Sequence, residues 1–235
     1  AMTFAEQESG FFAGVAAALE TKTNKVAVVN GVAYPSNVNY QYGFECGVIY
    51  ANKKLGTNAQ VVELASRAGT DVTGANVGGN YAGSFADEAT GKVIGQQLFA
   101  QGVDIIFVAA GATGNGVFTA AKESNGRLKV IGCDVDQWDD GTVGSGNIIL
   151  TSVLKVMSLN VERVLNQIQD GTFKGANMLL KADTDSTGFV KKAGRNQLSP
   201  STIQKLDEAY TLVQKGVIVP ASNFGGFTPE QFKVN

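Results

Sequence analysis

Histidine is absent from all 235 residues. That alone excludes Ser-His and Cys-His nucleophile pairs and His-ligated zinc. Cysteine is nearly as scarce, and Cys46 and Cys133 are too few for a disulfide framework or a four-thiolate metal centre. Charge is thin and balanced, with 19 Lys and Arg against 21 Asp and Glu. The net −2 gives no electrostatic reason to bind nucleic acid or an anionic lipid surface. Long apolar runs are missing too: the longest, around Phe11–Leu19 and Ile105–Ala110, fall far short of the ~20 residues that span a bilayer. No signal peptide is visible, and the direct opening on Ala-Met-Thr-Phe reads as a cut start.

Glycine is what the chain has in excess, at 29 residues, in a composition that is 44% hydrophobic and therefore globular. The glycines punctuate apolar runs rather than forming tracts, which predicts many tight strand-to-helix turns. Helical spacing of apolar residues predicts a helix over Glu6–Leu19, with Thr3 or Ser9 as its cap. The β-branched run Lys25–Asn30 reads as a strand, followed by a helix over Asn37–Lys54 and a strand at Gln60–Leu64. Residues 65–80 turn polar and glycine-rich and read as an exposed loop or irregular insertion. The pattern then resumes with Tyr81–Ser84, helix Ala86–Gln101, strand Asp104–Ala110, helix Gly116–Glu123 and strand Leu128–Cys133. This alternation predicts an α/β fold, a parallel sheet with helices on both faces.

After Ile148–Leu150 a long helix is predicted over Ser152–Gln169, stopped by Asp170-Gly171. Met178–Lys181 and Gly188–Val190 read as extended segments, and Ser199-Pro200 opens a helix to about Lys215. The tail to Asn235, with its Phe-Gly-Gly-Phe, reads as a packed extended segment.

In open parallel sheets ligands bind at the carboxyl ends of the strands, so those ends are the places to look for chemistry. The run GATGNG, Gly111 to Gly116, matches neither phosphate-binding glycine pattern. It reads better as a tight turn whose first glycine lets a ligand come close. Asp134 and Asp136 point to opposite sides if their strand continues. With Asp139 and Asp140 they are either a magnesium site or a solvated loop. Asp134 suits a polyol, since a carboxylate accepts two hydroxyl donors, or else it caps the next turn. Tyr40 and Phe85 either stack on a planar ligand or fill the core. Lys155 is either functional or merely solvated, Trp138 can shield a pocket mouth, and both cysteines read as buried thiols.

The stretches TFAEQESGFFAGVAAAL, TNKVAVVNG, YQYGFECGV, GSFADEATGK, GVDIIFVAAGATGNGV, KVIGCDVDQ and LTSVLKV occur in an order that closely resembles one family. This is the basic membrane protein family of substrate-binding lipoproteins, typified by bacterial purine nucleoside receptors that feed ABC importers. The resemblance covers most of residues 3 to 170. It implies a doubly wound sheet of the type I periplasmic binding protein kind, as one complete lobe plus part of the second. Residues 1–150 would form the second (C-terminal) lobe. Residues 151–235 would supply crossover segments and part of the first lobe, with the N-terminal lobe segment missing.

By the same likeness Tyr40 lies near the base, Phe85 stacks on the purine, Gly111 lies against the sugar, Asp134 accepts its hydroxyls and Lys155 donates to it. The implied function is non-catalytic binding of a purine nucleoside, with an ABC importer permease as partner and no cofactor. The implied location is extracytoplasmic, as a cell-membrane lipoprotein or in the periplasm, the anchor lying outside this chain. Two other classes are weighed: a magnesium-dependent α/β hydrolase or phosphotransferase using Asp134 and Asp136, and the effector-binding domain of a regulator.

Overall fold

A computed structural model describes residues 1–223 and 225–234; Phe224 and Asn235, which the reading of the tail includes, lie outside the described residues. In chain order the elements are β1 (Met2–Phe4), α1 (Glu6–Glu20), β2 (Lys25–Asn30), α2 (Pro35–Lys54), β3 (Gln60–Val61), β4 (Gly69–Thr70) and β5 (Asn76–Gly78). There follow α3 (Glu88–Ala100), β6 (Ile105–Ala109), α4 (Thr113–Glu123), β7 (Lys129–Gly132), β8 (Thr142–Val143), β9 (Gly146–Asn147) and β10 (Ile149–Lys155). The last are α5 (Met157–Gln169), β11 (Met178–Leu180), β12 (Thr187–Phe189) and α6 (Pro200–Gln214).

The main sheet runs β12-β10-β7-β6-β2-β3, all parallel except the edge strand β12. Counted along the chain, its parallel strands stand in the order 2-1-3-4-5, so successive connections reverse direction between β2 and β6. Alternate residues of β2 feed the two faces. Val26 and Val28 pack with Phe11, Phe12 and Phe44 from α1 and α2, while Ala27 and Val29 pack with Ile94, Leu98 and Val117 from α3 and α4. The sheet is therefore buried on both sides, which is why its strands read as continuous apolar runs.

Within each helix layer glycines do the packing. A Cβ at Gly14 would stand 2.1 Å from the Phe44 carbonyl oxygen, and one at Gly47 would stand 2.2 Å from that of Phe11. Across the sheet a Cβ at Gly116 would meet the Glu88 carbonyl oxygen. Turns thus explain only part of the glycine excess. Helix crossings where backbone touches backbone explain another part.

Several expectations are corrected. The helix predicted from Ser152 begins at Met157; Thr151 to Lys155 continue β10, which hydrogen-bonds to β7 on one side and β12 on the other. Sheet pairing outweighs the helical spacing there. This strand runs through the boundary expected at residue 150, and β12, α6 and the tail pack on the same body. Leu206 and Phe232 share the core of α1, and the Asn223 amide donates to Asn39 Oδ1 at 2.8 Å. Neither Thr3 nor Ser9 caps α1; the N-cap is Ala5, and the Ser9 hydroxyl donates instead to the Leu154 carbonyl at 2.8 Å. α3 and α4 start at Glu88 and Thr113 rather than Ala86 and Gly116, the former capped by Asp87 accepting from the Thr90 amide. Ser199 and Pro200 open α6 as read, with the Ser199 hydroxyl accepting from the Thr202 amide.

Residues 65–80 hold a short 3-10 turn and the β4-β5 hairpin, its turn closed by Asp71 Oδ1 accepting from the Thr73 and Ala75 amides. β1 and β11 pair in parallel outside the main sheet. α5 buries only Asn160 and leaves Val161, Leu165 and Ile168 exposed.

Candidate functional site

β2, β6, β7 and β10 all release their chains on one side of the sheet, beside the reversal between β2 and β6. A cleft of about 500 Å³ opens there, lined in part by Tyr40, Phe85, Gly111, Asp134 and Lys155. The five residues singled out from the sequence therefore share one concavity.

Phe85 reaches the cleft because residues 81–83 extend the sheet beside β2. The Ala82 amide donates to the Asn30 carbonyl at 3.0 Å and the Gly83 amide to the Gly31 carbonyl at 2.8 Å. The ring then lies over Gly31, where a Cβ would meet it at 2.3 Å, and beside Tyr34, with ring centroids 6.0 Å apart. Both rings are substantially exposed, 36% for Phe85 and 53% for Tyr34, so they form an open aromatic rim rather than core. Tyr81, by contrast, is buried, its hydroxyl donating to Gln41 Oε1 at 2.6 Å. Gly111 turns the chain at φ +56 and stands against Phe85, whose carbonyl oxygen would be 3.2 Å from an added Cβ. A side chain there meets both backbone strain and the Phe85 wall.

Asp134 does not continue β7, so the opposed arrangement of Asp134 and Asp136 does not arise. It sits in the left-handed region at φ +68, where a non-glycine residue is held only by its surroundings. The Tyr40 hydroxyl donates to its Oδ1 at 2.5 Å, and the Lys155 amide donates to its carbonyl at 2.9 Å. The other carboxylate oxygen makes no hydrogen bond among the described residues. Tyr40 is buried edge-on against Phe107. Burial, with Cys133 and Asp134 adjacent, pushes its phenol well above the ordinary range, so it remains a donor.

Lys155 stands at the end of β10 rather than on a helix. Its ammonium donates to Glu6 Oε1 at 3.0 Å and lies 5.3 Å from the Phe4 ring centre. Glu6, which carried no signal of a role in the sequence, is a buried carboxylate at the first turn of α1. Asn37 was also missed. It lies on the first turn of α2, directly beyond β2, and its amide nitrogen donates to the Ala109 carbonyl at 2.8 Å. Its place just after a strand end is the signal that could have found it.

The remaining candidates separate. Cys133 is only partly buried and lines the cleft, its sulfur 3.6 Å from Asp134 Oδ1; burial pushes its thiol upward, away from thiolate chemistry. Trp138 packs behind the sheet with Ile149 and its neighbours and does not line the cleft. Arg195 engages Asp136 and, at 2.9 Å, Asp139. The acidic run is thus an arginine-clamped loop, and among the described residues no group of three carboxylate or thiol side chains is placed to hold a metal ion.

A model of the PnrA-like ABC transporter substrate-binding proteins, Bmp, matches residues 1–76 and 73–223. The CD4+ T-cell-stimulating antigen of Listeria monocytogenes is 33% identical over 216 residues, an alignment covering 87% of this chain and 54% of that protein. The ABC transporter nucleoside-binding protein BmpA of Lactococcus lactis is 31% identical over 188 residues, covering 75% of this chain and 48% of its own length. The chain therefore spans about half the length of the curated relatives it matches. Among solved structures, an ABC transporter system solute-binding protein from Aeropyrum pernix superposes with a TM-score of 0.73 at 22% identity, over 94% of this chain and 66% of that one. The doubly wound sheet is that of the type I periplasmic binding fold. With sheet order, strand-end cleft and sequence in agreement, this chain belongs to the family of PnrA-like ABC transporter substrate-binding proteins.

Proposed function

We propose that this chain forms one wall of a purine nucleoside site in the extracytoplasmic binding component of an ABC importer, and that it binds without catalysis. The observation that carries the reading is the convergence of an exposed aromatic rim, a carboxylate with a free oxygen and an ammonium group in one strand-end cleft. Phe85 stacks on the base, Gly111 lets the sugar approach the backbone, and Asp134 accepts from the sugar hydroxyls while Lys155 donates to them. Tyr40 holds Asp134 rather than touching the base. The Lactococcus relative, by its name a nucleoside-binding protein, supports the choice of ligand class.

Residues 5–155, 187–223 and 225–234 make up one lobe in this reading, and α5 and β11 belong with the crossovers and a second lobe. Among the described residues no helix is long and apolar enough to cross a membrane.

With one wall present, stacking at ~1–3 kcal/mol and sugar contacts of similar size give millimolar affinity, near −4 kcal/mol. Backbone amide shifts followed by nuclear magnetic resonance during an adenosine titration test this directly. Shifts should concentrate at Phe85, Gly111 and Asp134 and disappear in Asp134→Asn and Phe85→Ala. A nucleoside response confined to other surfaces sinks the reading.

A further inference from the structure

The opposite end of the sheet carries a second cavity of about 660 Å³. It lies where β2, β6, β7 and β10 begin, and it shares no residue with the cleft. Its floor is apolar, with Val103, Ile105 and Leu150 buried and the partly buried Phe99 ring beside them. Its rim carries three cations, Lys22, Arg127 and Lys129, against two carboxylates, Glu20 and Asp104, and none of the three cations pairs with a carboxylate among the described residues.

Cations are ordinary at this end, because α1, α3 and α4 finish here and their last carbonyls attract positive charge. That need takes up Lys25 and one nitrogen of Arg127. Lys25 donates to the Gln101 carbonyl at 2.9 Å, and Arg127 uses only Nε, at 3.0 Å, on the Ser124 carbonyl. The terminal nitrogens of Arg127 and the ammonium of Lys22 make no hydrogen bond among the described residues, and the guanidinium carbon lies 4.9 Å from the Phe99 ring centre.

The acids of the rim are already engaged. Asp104 accepts from the Thr21 hydroxyl and the Lys22 and Thr23 amides at 2.6, 2.7 and 3.2 Å, and Glu20 accepts from the Ser199 amide at 2.8 Å. Lys129, whose ammonium donates to the Asn147 carbonyl at 2.8 Å and to Gln197 Oε1 at 2.9 Å, is drawn below its ordinary value by burial and by Lys22.

We propose that this cavity is a second ligand site, taking a small organic anion with an apolar body, such as an aromatic or medium-chain carboxylate or sulfonate. The apolar part rests on Phe99, Ile105 and Leu150, and the anionic head meets Arg127 and Lys22, a fork and a point charge left without partners. The site is independent of the nucleoside cleft.

The test is a fluorescence titration of the whole chain with anilinonaphthalene sulfonate, whose emission rises in apolar surroundings. Saturable binding is expected, displaced by decanoate and untouched by adenosine. Loss of a charge-assisted contact should weaken it roughly tenfold or more in Lys22→Glu and in Arg127→Gln. Lys22 is exposed and its side chain makes no hydrogen bond among the described residues, so its variant is expected to fold even if loss of the Ser124 contact unsettles Arg127→Gln. Unchanged affinity in Lys22→Glu overturns the proposal, and so does displacement by adenosine. Displacement by an oligoglutamate peptide but not by decanoate also overturns it, and assigns the face to an acidic protein partner.

Discussion

Replacing Gly14 by alanine sets a methyl group 2.1 Å from the Phe44 carbonyl oxygen, 2.9 Å from the Phe44 carbonyl carbon and 3.1 Å from the Gly47 Cα. An ordinary carbon–oxygen contact is about 3.4 Å, so α1 and α2 must separate by roughly an ångström. Every obstructing atom is backbone, which cannot rotate aside as a side chain can. Inserting one carbon into a filled core costs ~1–3 kcal/mol, and this rigid site belongs at the upper end. Alanine recovers ~1 kcal/mol of helix propensity over glycine, leaving a net loss of about 2 kcal/mol. For a chain of this size that lowers Tm by about 4–8 °C. Thermal melts by circular dichroism measure it, with Gly175→Ala as control. Gly175 has nothing within 4 Å of its would-be Cβ, and its variant should stay within about 0.5 kcal/mol of the parent. If Gly14→Ala melts at or above the parent temperature, the backbone-to-backbone account of these helices is wrong.

Three further outcomes follow from buried polar groups. Burial, with Glu63 and Glu230 near, raises Glu45 to about 8, so folding holds a proton that the unfolded chain releases near the ordinary carboxylate value. Its contribution is complete at low pH and is lost as pH climbs through about 8; Glu8, also raised by burial, acts in the same direction. Melts across that range should show falling stability, with a shallower fall in Glu45→Gln; an equal slope removes Glu45 as its source. Glu6→Ala strands Lys155 beside the cleft and should cost about 3 kcal/mol in denaturant unfolding, the low end for a broken buried pair because Lys155 keeps 22% exposure. An unchanged midpoint would place that pair among surface contacts. Tyr40→Phe removes the donor to Asp134 at a cost of ~1.5 kcal/mol, and it should weaken adenosine shifts without moving their location.

Much of the fold was legible because its signals are local. A sheet buried on both faces needs β-branched runs such as Lys25–Asn30, and Ser199-Pro200 marks a helix start in any context. The error at residues 152–155 was not local. Those residues have helical spacing, and only β7 and β12, distant in sequence, turn them into a strand. The crossing glycines were present as Gly10 and Gly14, Gly43 and Gly47, four apart, but turn chemistry was the nearer explanation. At the site, strand-end position plus family likeness led to five residues that share one cleft, and did not single out Tyr34 beside Phe85. The groups that hold them were hidden, because Glu6 and Lys155 stand 149 positions apart in the chain. Nor did the acidic run announce Arg195, 59 residues beyond Asp136.

The Val156 amide donates to the Ser186 carbonyl at 2.9 Å, so the chain that departs after β10 returns to the same spot before pairing as β12. Residues 157–185 are therefore a side trip with its entrance and exit clasped together. Their length is uncoupled from the register of the sheet, since closing a longer excursion adds only a logarithmic penalty. Evolution can lengthen, trim or re-dress its part from α5 through the wholly exposed stretch Gly171 to Asn177, while β11, paired with β1, and the buried Ala182, whose amide donates to Glu8, keep the architecture beneath in alignment.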